Sequence, residues 1–373
     1  MSNKISIRLL IFLSLIMNQT SCKGSDPNPP ATKTVVKVGA WYFGGWSFPA
    51  DANGYTFHIS PTLVTQFSDR EPIWGWREDK PGVMVDQINY AANAGLSFWG
   101  FCWYENSLRS DSTTMNNLNN ALGMFLKAPN KNLLEFCLLS CMPVSSLNWN
   151  KLCTKTIYYF KEPNYLKVGS KPVMMFFNTD EVISGLGGKD KTIDAIKSYR
   201  QKARDMGVGE ILIGARTHPV LSDPTFQNKY IECGFDFLTT YQNADDGRKM
   251  AGANDYSNLL TGDAKAWNDI STNSPLPFVA TVGTGYDMRP WAKDHPTLAA
   301  SDFWYNNITA NLIGEHLREG IRWTKDHSSK AFGNLLFMYA WNENGEGGWL
   351  TPTKVEGSAR IDAIKKVISE ENK

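Results

Sequence analysis

The sequence carries no excess of charge of either sign: 38 Lys and Arg stand against 37 Asp and Glu in 373 residues, a formal net charge of +1. With no long basic run to track a phosphate backbone, nucleic acid is not an expected partner. Histidine is scarce. The five, His58, His218, His295, His316 and His327, stand apart in sequence, and no cysteine and histidine spacing matches a metal site. No metal or other cofactor is therefore expected. Neither a Gly-x-x-x-x-Gly-Lys loop nor a Gly-x-Ser-x-Gly elbow occurs, which speaks against a P-loop nucleotide site and an α/β-hydrolase nucleophile. Internal repeats are also missing.

Cysteine is too sparse for a disulfide scaffold. Of six, one lies at the end of the N-terminal apolar run, and the remaining five cannot all pair within one chain. Buried free thiols are the expected state, a Cys102–Cys141 bridge being the alternative.

Long apolar runs are confined to the N-terminus, where Lys4 and Arg8 precede "LLIFLSLIM" (Leu9 to Met17) and then "NQTSC", ending at Cys22. That run is too short to span a bilayer and reads as an export signal. Ser21 before Cys22, followed by the polar, proline-containing "KGSDPNPPATKT", resembles a lipoprotein processing site. Residues 1–21 are accordingly expected to be a signal peptide, 22–34 a flexible linker beginning at an acylated Cys22, and 35–373 the functional domain. Gln19 stands where an aliphatic residue is usual, so plain secretion with cleavage nearby is the alternative. A monomer is expected, exported and tethered to the bacterial outer membrane by lipid alone, on its periplasmic or outer face.

From residue 36 on, short runs rich in β-branched and aromatic residues alternate with helix-like stretches, the pattern of βα units. Eight strands are read: 36–43, 96–104, 133–142, 171–178, 210–215, 235–241, 276–283 and 334–341. Between them, "GVMVDQINYAANAG" and "KTIDAIKSYRQKARDMG" have helical spacing and end at glycine. The final helix is "GSARIDAIKKVISEE", and the least distinct lies in "PTFQNKYIECG". This count predicts a single (β/α)8 barrel, with the long insert 44–81 after the first strand lying over the C-terminal mouth.

Active sites in such barrels are built at the C-terminal ends of the strands. These ends deliver Trp41 and Tyr42; Trp103, Tyr104 and Glu105; Asn178 and Asp180; Arg216 and His218; Tyr241 and Gln242; Tyr286, Asp287 and Arg289; and Asn342, Glu343 and Glu346. Rings can cover the apolar faces of a sugar, amides and acids can bond its hydroxyls, and two carboxylates can supply acid and base. A carbohydrate substrate is expected. Each group has a plainer role open to it: Trp41 and Trp103 as core, Glu105 as a loop acid, Asp287 and Arg289 as each other's partners. Glu343 and Glu346 stand out in "AWNENGEGGWL", since Gly345, Gly347 and Gly348 let backbone approach a ligand. Two carboxylates in a dry pocket push their pKa values apart, which separates an acid from a base.

The stretch "MYAWNENGEGGWLTPT" resembles the end of glycoside hydrolase family 99 and its bacterial relatives linked to polysaccharide biosynthesis, which carry Asn-Glu-x-x-Glu-Gly here. "GAWYFGGW", "QINYAANAGLSFWGFCWY", "KPVMMFFN" and "TVGTGYDMRPW" follow the same order. The resemblance implies a metal-free, retaining (β/α)8 enzyme whose characterised members are endo-acting α-mannosidases. By motif, Glu343 is then the base that deprotonates the sugar 2-hydroxyl, giving a 1,2-anhydro intermediate, and Glu346 the acid at the leaving oxygen. Trp41, Tyr42, Trp103, Tyr104, Glu105, Asn178, Tyr241, Tyr286, Asp287, Arg289, Asn342 and Trp349 are the expected substrate contacts. One departure stands out: the family commonly has Trp after the first acid, where this chain has Asn344. Trp349 and Trp291 are the candidates to supply the missing wall. A glycan-binding protein without hydrolysis and a polysaccharide-assembly glycosyltransferase are the alternative functions.

Overall fold

The structure, a computed structural model, describes residues 34–105, 117–218, 223, 225–298 and 302–373. The expected signal peptide, linker and Cys22 lie outside the described residues.

Residues 34–373 form one compact unit. Its centre is a barrel of eight strands: β1 (Lys37–Tyr42), β2 (Phe98–Trp103), β3 (Glu135–Ser140), β4 (Lys171–Phe176), β5 (Leu212–Arg216), β6 (Phe237–Thr239), β7 (Phe278–Gly283) and β8 (Ala331–Tyr339). Neighbours pair in parallel in the order β3-β2-β1-β8-β7-β6-β5-β4, and β3 pairs with β4 to close the ring. All eight strands fall where the apolar runs placed them. Strands covered on both faces read as continuous hydrophobic runs rather than alternating ones, and β2 (FWGFCW) and β7 (FVATVG) are buried at every position.

Each strand feeds a helix on the outer ring. Val83–Asn93, Lys189–Asp205 and Ala359–Glu371 match the helical patterns, and the least distinct helix is only Asn228–Cys233. Two of the longer helices start at side-chain caps: Asp255 accepts from the Ser257 amide, and Thr309 from that of Leu312. Outside the barrel, Gly252–Asp255, just before the helix Tyr256–Asn273, pairs in parallel with Phe303–Asn306, which lies between β7 and the helix Ala310–Asp326, to form a two-stranded ribbon. It carries no hydrophobic run long enough to announce itself, and the sequence reading missed it.

The barrel interior is aromatic. The Trp41 ring stacks on Phe337 with centroids 3.6 Å apart, and β2 makes room for it at Gly100, where a Cβ would come within 2.6 Å of that indole. All five cysteines among the described residues are free, and the thiols of Cys102, Cys137, Cys153 and Cys233 are buried.

Insert 44–81 crosses the mouth and is fastened to the loop after β7. Asp294 accepts from both the amide (2.8 Å) and the hydroxyl (2.6 Å) of Thr62, so a carboxylate from one loop satisfies the N-terminus of the short helix Pro61–Gln66 in the other.

Candidate active site

Beyond β8 the chain forms a tight hairpin. Asn342 and Glu343 pair antiparallel with Trp349 and Gly348, a 3-10 turn spans Asn344–Glu346, and Gly347 closes it at φ +82°. Only glycine serves there, because a Cβ would lie 2.4 Å from the Asp287 amide nitrogen. The turn brings Glu343 and Glu346 onto one cavity of about 130 Å³, whose other lining residues are Phe43, Trp46, His58, Trp291 and Gly345.

Each acid is held by a tyrosine from the barrel rim. The Tyr241 hydroxyl donates to Glu343 Oε1, and that of Tyr339 to Glu346 Oε2 at 2.6 Å. The two phenol rings meet edge to face, 5.1 Å apart. Burial pushes both carboxyl groups above the ordinary glutamate range, and for Glu343 the charge of Glu346 adds to it, while the tyrosine donors pull back. Two carboxyl groups on one buried cavity resist being ionised together.

Arg70, from the insert, anchors this turn. Its Nη1 donates to the carbonyls of Asp287 and Asn344, both at 3.1 Å, and its Nη2 to the Asp287 carboxylate. In return the Asn344 side chain donates to the Arg70 carbonyl at 2.8 Å, and the Asp287 amide to the Glu346 carbonyl at 2.6 Å. Burial would push Asp287 up, but Arg289 and Arg70 outweigh it and hold the carboxyl below its ordinary value.

The expected contact residues divide. Tyr241 reaches an acid directly, and Tyr104 is near enough that the charges of both glutamates help raise its phenol, after burial and the thiols of Cys141 and Cys102. Trp41 and Tyr42, read as facing the mouth, instead belong to the core, where both are fully buried. Trp103 is buried against Tyr159. Glu105 is buried and paired with Lys155 Nζ at 2.7 Å. Asn178 lines a separate cavity with Arg216 and His218. Tyr286 directs its hydroxyl to Met288 Sδ and stacks on Phe303. Asp287, Arg289 and Trp349 line a third cavity of about 370 Å³ on the other side of the turn, with Arg360 over the Trp349 ring at 3.8 Å.

Asn342 works from behind: its amide bonds both the carbonyl and the amide of Phe43 at 2.8 Å, while its own carbonyl accepts from Trp46 Nε1 at 3.0 Å. Two walls of the acid pocket are thereby set by the residue next to the first acid. Asn344, where the resemblance led us to expect Trp, turns its side chain away from the pocket toward Arg70, and Gly345 faces the pocket instead. Trp291, one of the two expected substitutes, is a wall, stacked on His58 at 5.0 Å and 8°. His58 is kept uncharged, its pKa lowered to about 3 by burial and by nearby His295.

Phe43, Trp46, His58, Arg70 and Tyr339 escaped the sequence reading, and a third acid, Glu78, which as a charge in the mouth insert was expected to be solvated, is buried. Glu78 lies under the Trp46 wall, accepting from the Trp46 amide at 3.2 Å. The Tyr42 hydroxyl lies 2.7 Å from Glu78 and 3.1 Å from Gln87 Oε1, two acceptors for one proton. A protonated Glu78 satisfies the count, donating to Tyr42 while Tyr42 donates to Gln87. Burial indeed raises the Glu78 pKa to about 8.

A closed (β/α)8 barrel with two acids on the turn after its last strand and aromatic walls from the loops around it is a glycosidase-type barrel. Residues 77–364 match the family described as "Glycosyltransferase WbsX", and the chain belongs to that family. Among solved structures it is similar to a "Glycoside hydrolase-like protein" (TM-score 0.61, 14% identity, 94% of this chain and 97% of that one). It is also similar to the GH99 endo-α-mannosidase of Bacteroides thetaiotaomicron (TM-score 0.59, 12% identity, 91% of this chain and 98% of that one). Likeness at such identity concerns the fold, and with the family match it upholds the family 99-like resemblance. The uncharacterized protein WxcX of Xanthomonas campestris pv. campestris is 23% identical over 221 residues, 57% of this chain. The match spans only 29% of the length of that protein.

Two consequences are measurable. Arg70→Met leaves two buried carbonyls without their donor and Asp287 with Arg289 as its remaining cation, and is expected to cost about 2–4 kcal/mol in urea denaturation; a loss below about 1 kcal/mol would show that the clamp does not hold the turn. Glu78 keeps its proton in the folded chain up to about pH 8 but releases it near 4.5 once unfolded. Its contribution to stability is thus fully present below pH 4.5 and lost as pH rises through about 8. The melting temperature of the wild-type chain should fall across that window more steeply than that of Glu78→Gln; parallel curves would contradict it.

Proposed function

We propose that this protein is a retaining glycoside hydrolase acting on an α-linked poly- or oligosaccharide, with mannose-containing glycans the first to test. The observation that carries the reading is the convergence of Glu343 and Glu346, each with a tyrosine donor, on one pocket walled by Phe43, Trp46 and Trp291.

In this reading one sugar unit enters the pocket, its apolar face against an indole. Glu343, steadied as a carboxylate by Tyr241, takes the proton of the sugar 2-hydroxyl, and that oxygen attacks the anomeric carbon as the glycosidic bond breaks. Glu346 gives its proton to the departing oxygen. The 1,2-anhydro sugar is then opened by water, which Glu346 deprotonates while Glu343 returns a proton to the 2-oxygen. Two inversions at one carbon give net retention. Because the sugar's own hydroxyl is the nucleophile, the usual link between carboxylate separation and stereochemical outcome does not govern this site.

The family description favours a second reading, glycosyl transfer. The same acid pair can serve it if an acceptor hydroxyl replaces water in the second step. The binding-only alternative rested on Asn344, and that side chain is engaged with Arg70 rather than the pocket.

Digestion of an α-glycan library with product analysis tests the assignment: release of reducing sugars with retained configuration is expected. Glu346→Gln and Glu343→Gln should each lower turnover at least about a thousand-fold while leaving the melting temperature unchanged or higher. Near-wild-type rates in either variant would sink the acid–base roles, and products lengthened by an added acceptor would select transfer. For the cellular setting, the N-terminal run supports an exported, lipid-anchored protein. Cys22→Ser should move the chain from the membrane fraction to the soluble one; unchanged partitioning would discard the anchor.

A further inference from the structure

Of the arginines that lie largely out of solvent, Arg70, Arg200, Arg318 and Arg360 each face a carboxylate, those of Asp287, Asp236, Glu371 and Glu356. Arg216 does not. It ends β5 at the barrel mouth, its guanidinium 4.6 Å over the Phe177 ring, and among the described residues it makes no ion pair and no side-chain hydrogen bond; its Nε is buried without a partner. A guanidinium stays charged at any relevant pH, and one stripped of water without a counter-charge is unfavourable until a charge arrives.

Arg216 opens onto a cavity of about 140 Å³, shared with Asn178, Asp180, Glu181, His218 and Tyr230. Its two acids already have partners. Asp180 takes Lys229 Nζ at 2.8 Å and the Tyr230 hydroxyl at 3.1 Å, and Glu181 takes the Asn178 amide at 3.2 Å. His218 is kept uncharged, first by burial and then by Arg216 itself. Asp180 is thus offset by Lys229, and Arg216 is the cavity's cation without an ion pair among the described residues, buried at its Nε, while the Glu181 carboxylate, held only by a neutral amide, is exposed to solvent. The cavity also borders the acid site: the Phe177 ring under Arg216 lies 5.2 Å from that of Tyr241, whose hydroxyl donates to Glu343.

We propose that this cavity is a second subsite, taking a sugar unit that bears an oxyanion, a uronate carboxylate or a sulfate ester, with Arg216 as its charge partner. A bidentate contact from the two Nη atoms suits either group. The proposal rests on the hydrolase reading for its place beside the acids and extends it to an acidic glycan, bound across two neighbouring positions.

The test is equilibrium binding, by calorimetry on the full chain, of methyl glucuronide, its neutral counterpart methyl glucoside, and inorganic sulfate. The glucuronide is expected to bind about ten-fold more tightly than the glucoside. In Arg216→Gln the two should fall within about two-fold of each other, and Arg216→Lys should retain part of the preference. Melting curves matching the wild type establish that the variants are folded. Sulfate binding lost in Arg216→Gln, without glucuronide binding, would assign the group to a sulfate ester. Equal affinities for glucuronide and glucoside with no sulfate binding, or a preference that survives in Arg216→Gln, would overturn the subsite. Cleavage is not part of this readout: anion preference without hydrolysis would refute the hydrolase alone, and hydrolysis of neutral glycans without the preference would refute the subsite alone.

Discussion

A single buried guanidinium ties the mouth of this barrel together. Arg70 comes from the insert after β1, Asp287 from the loop after β7 and Asn344 from the turn after β8, and the three meet through hydrogen bonds to main chain as well as side chain. The acids sit on the third of these segments, and their walls on the first two. Without the clamp each loop would find its own position on the rim, and loops left to themselves open locally at little cost. Catalytic geometry needs tolerances of about half an ångström, which calls for such support behind the reacting groups.

The same clamp explains how charge is tolerated so close to Glu343 and Glu346. Arg70 and Arg289 neutralise Asp287 on the far side of the turn, and among the described residues that line the acid pocket there is no lysine or arginine to settle its two carboxylates as a pair of anions. Tyrosine donors supply dipoles in place of full charges. A dipole steadies a carboxylate without pinning it, which leaves a proton free to change hands during a reaction. Glu78, one layer deeper, shows the other outcome of burial: with no ion pair among the described residues and a phenol beside it, its pKa rises to about 8 and it serves as a structural acid.

The barrel was legible because its strands are covered on both faces, so every one is a continuous apolar run, and glycine stops mark the helices between. The acid pair was legible because two glutamates, spaced by three and followed by glycine, sit where the eighth run ends. The walls were not. Phe43 lies one residue past β1 in "GAWYFGGW", and strand periodicity cannot say at which residue side chains leave the core for the mouth; Trp41 and Tyr42 were read as mouth residues and are core. Arg70 and His58 lie in an insert without period, and their roles depend on contacts with residues more than two hundred positions away. Asn342 and Asn344 carry no local sign that they bond the main chain of the insert. Contacts of that kind arise only when distant loops close on each other.

Gly345 lies between the two acids, and its missing side chain shapes the pocket floor. A Cβ built there would meet only the edge of Trp46, 4.0 Å away, and the position does not need glycine's left-handed backbone. Asn344 and Gly347 on either side are locked by the clamp and by steric contact. Within the motif, then, the floor of the pocket is the place where change is cheap: successive substitutions at this one position could grade the fit of a ring substituent while the acids and their support stayed as they are. The shape of this pocket has, at this residue, a route to change that leaves the fold's stability nearly untouched.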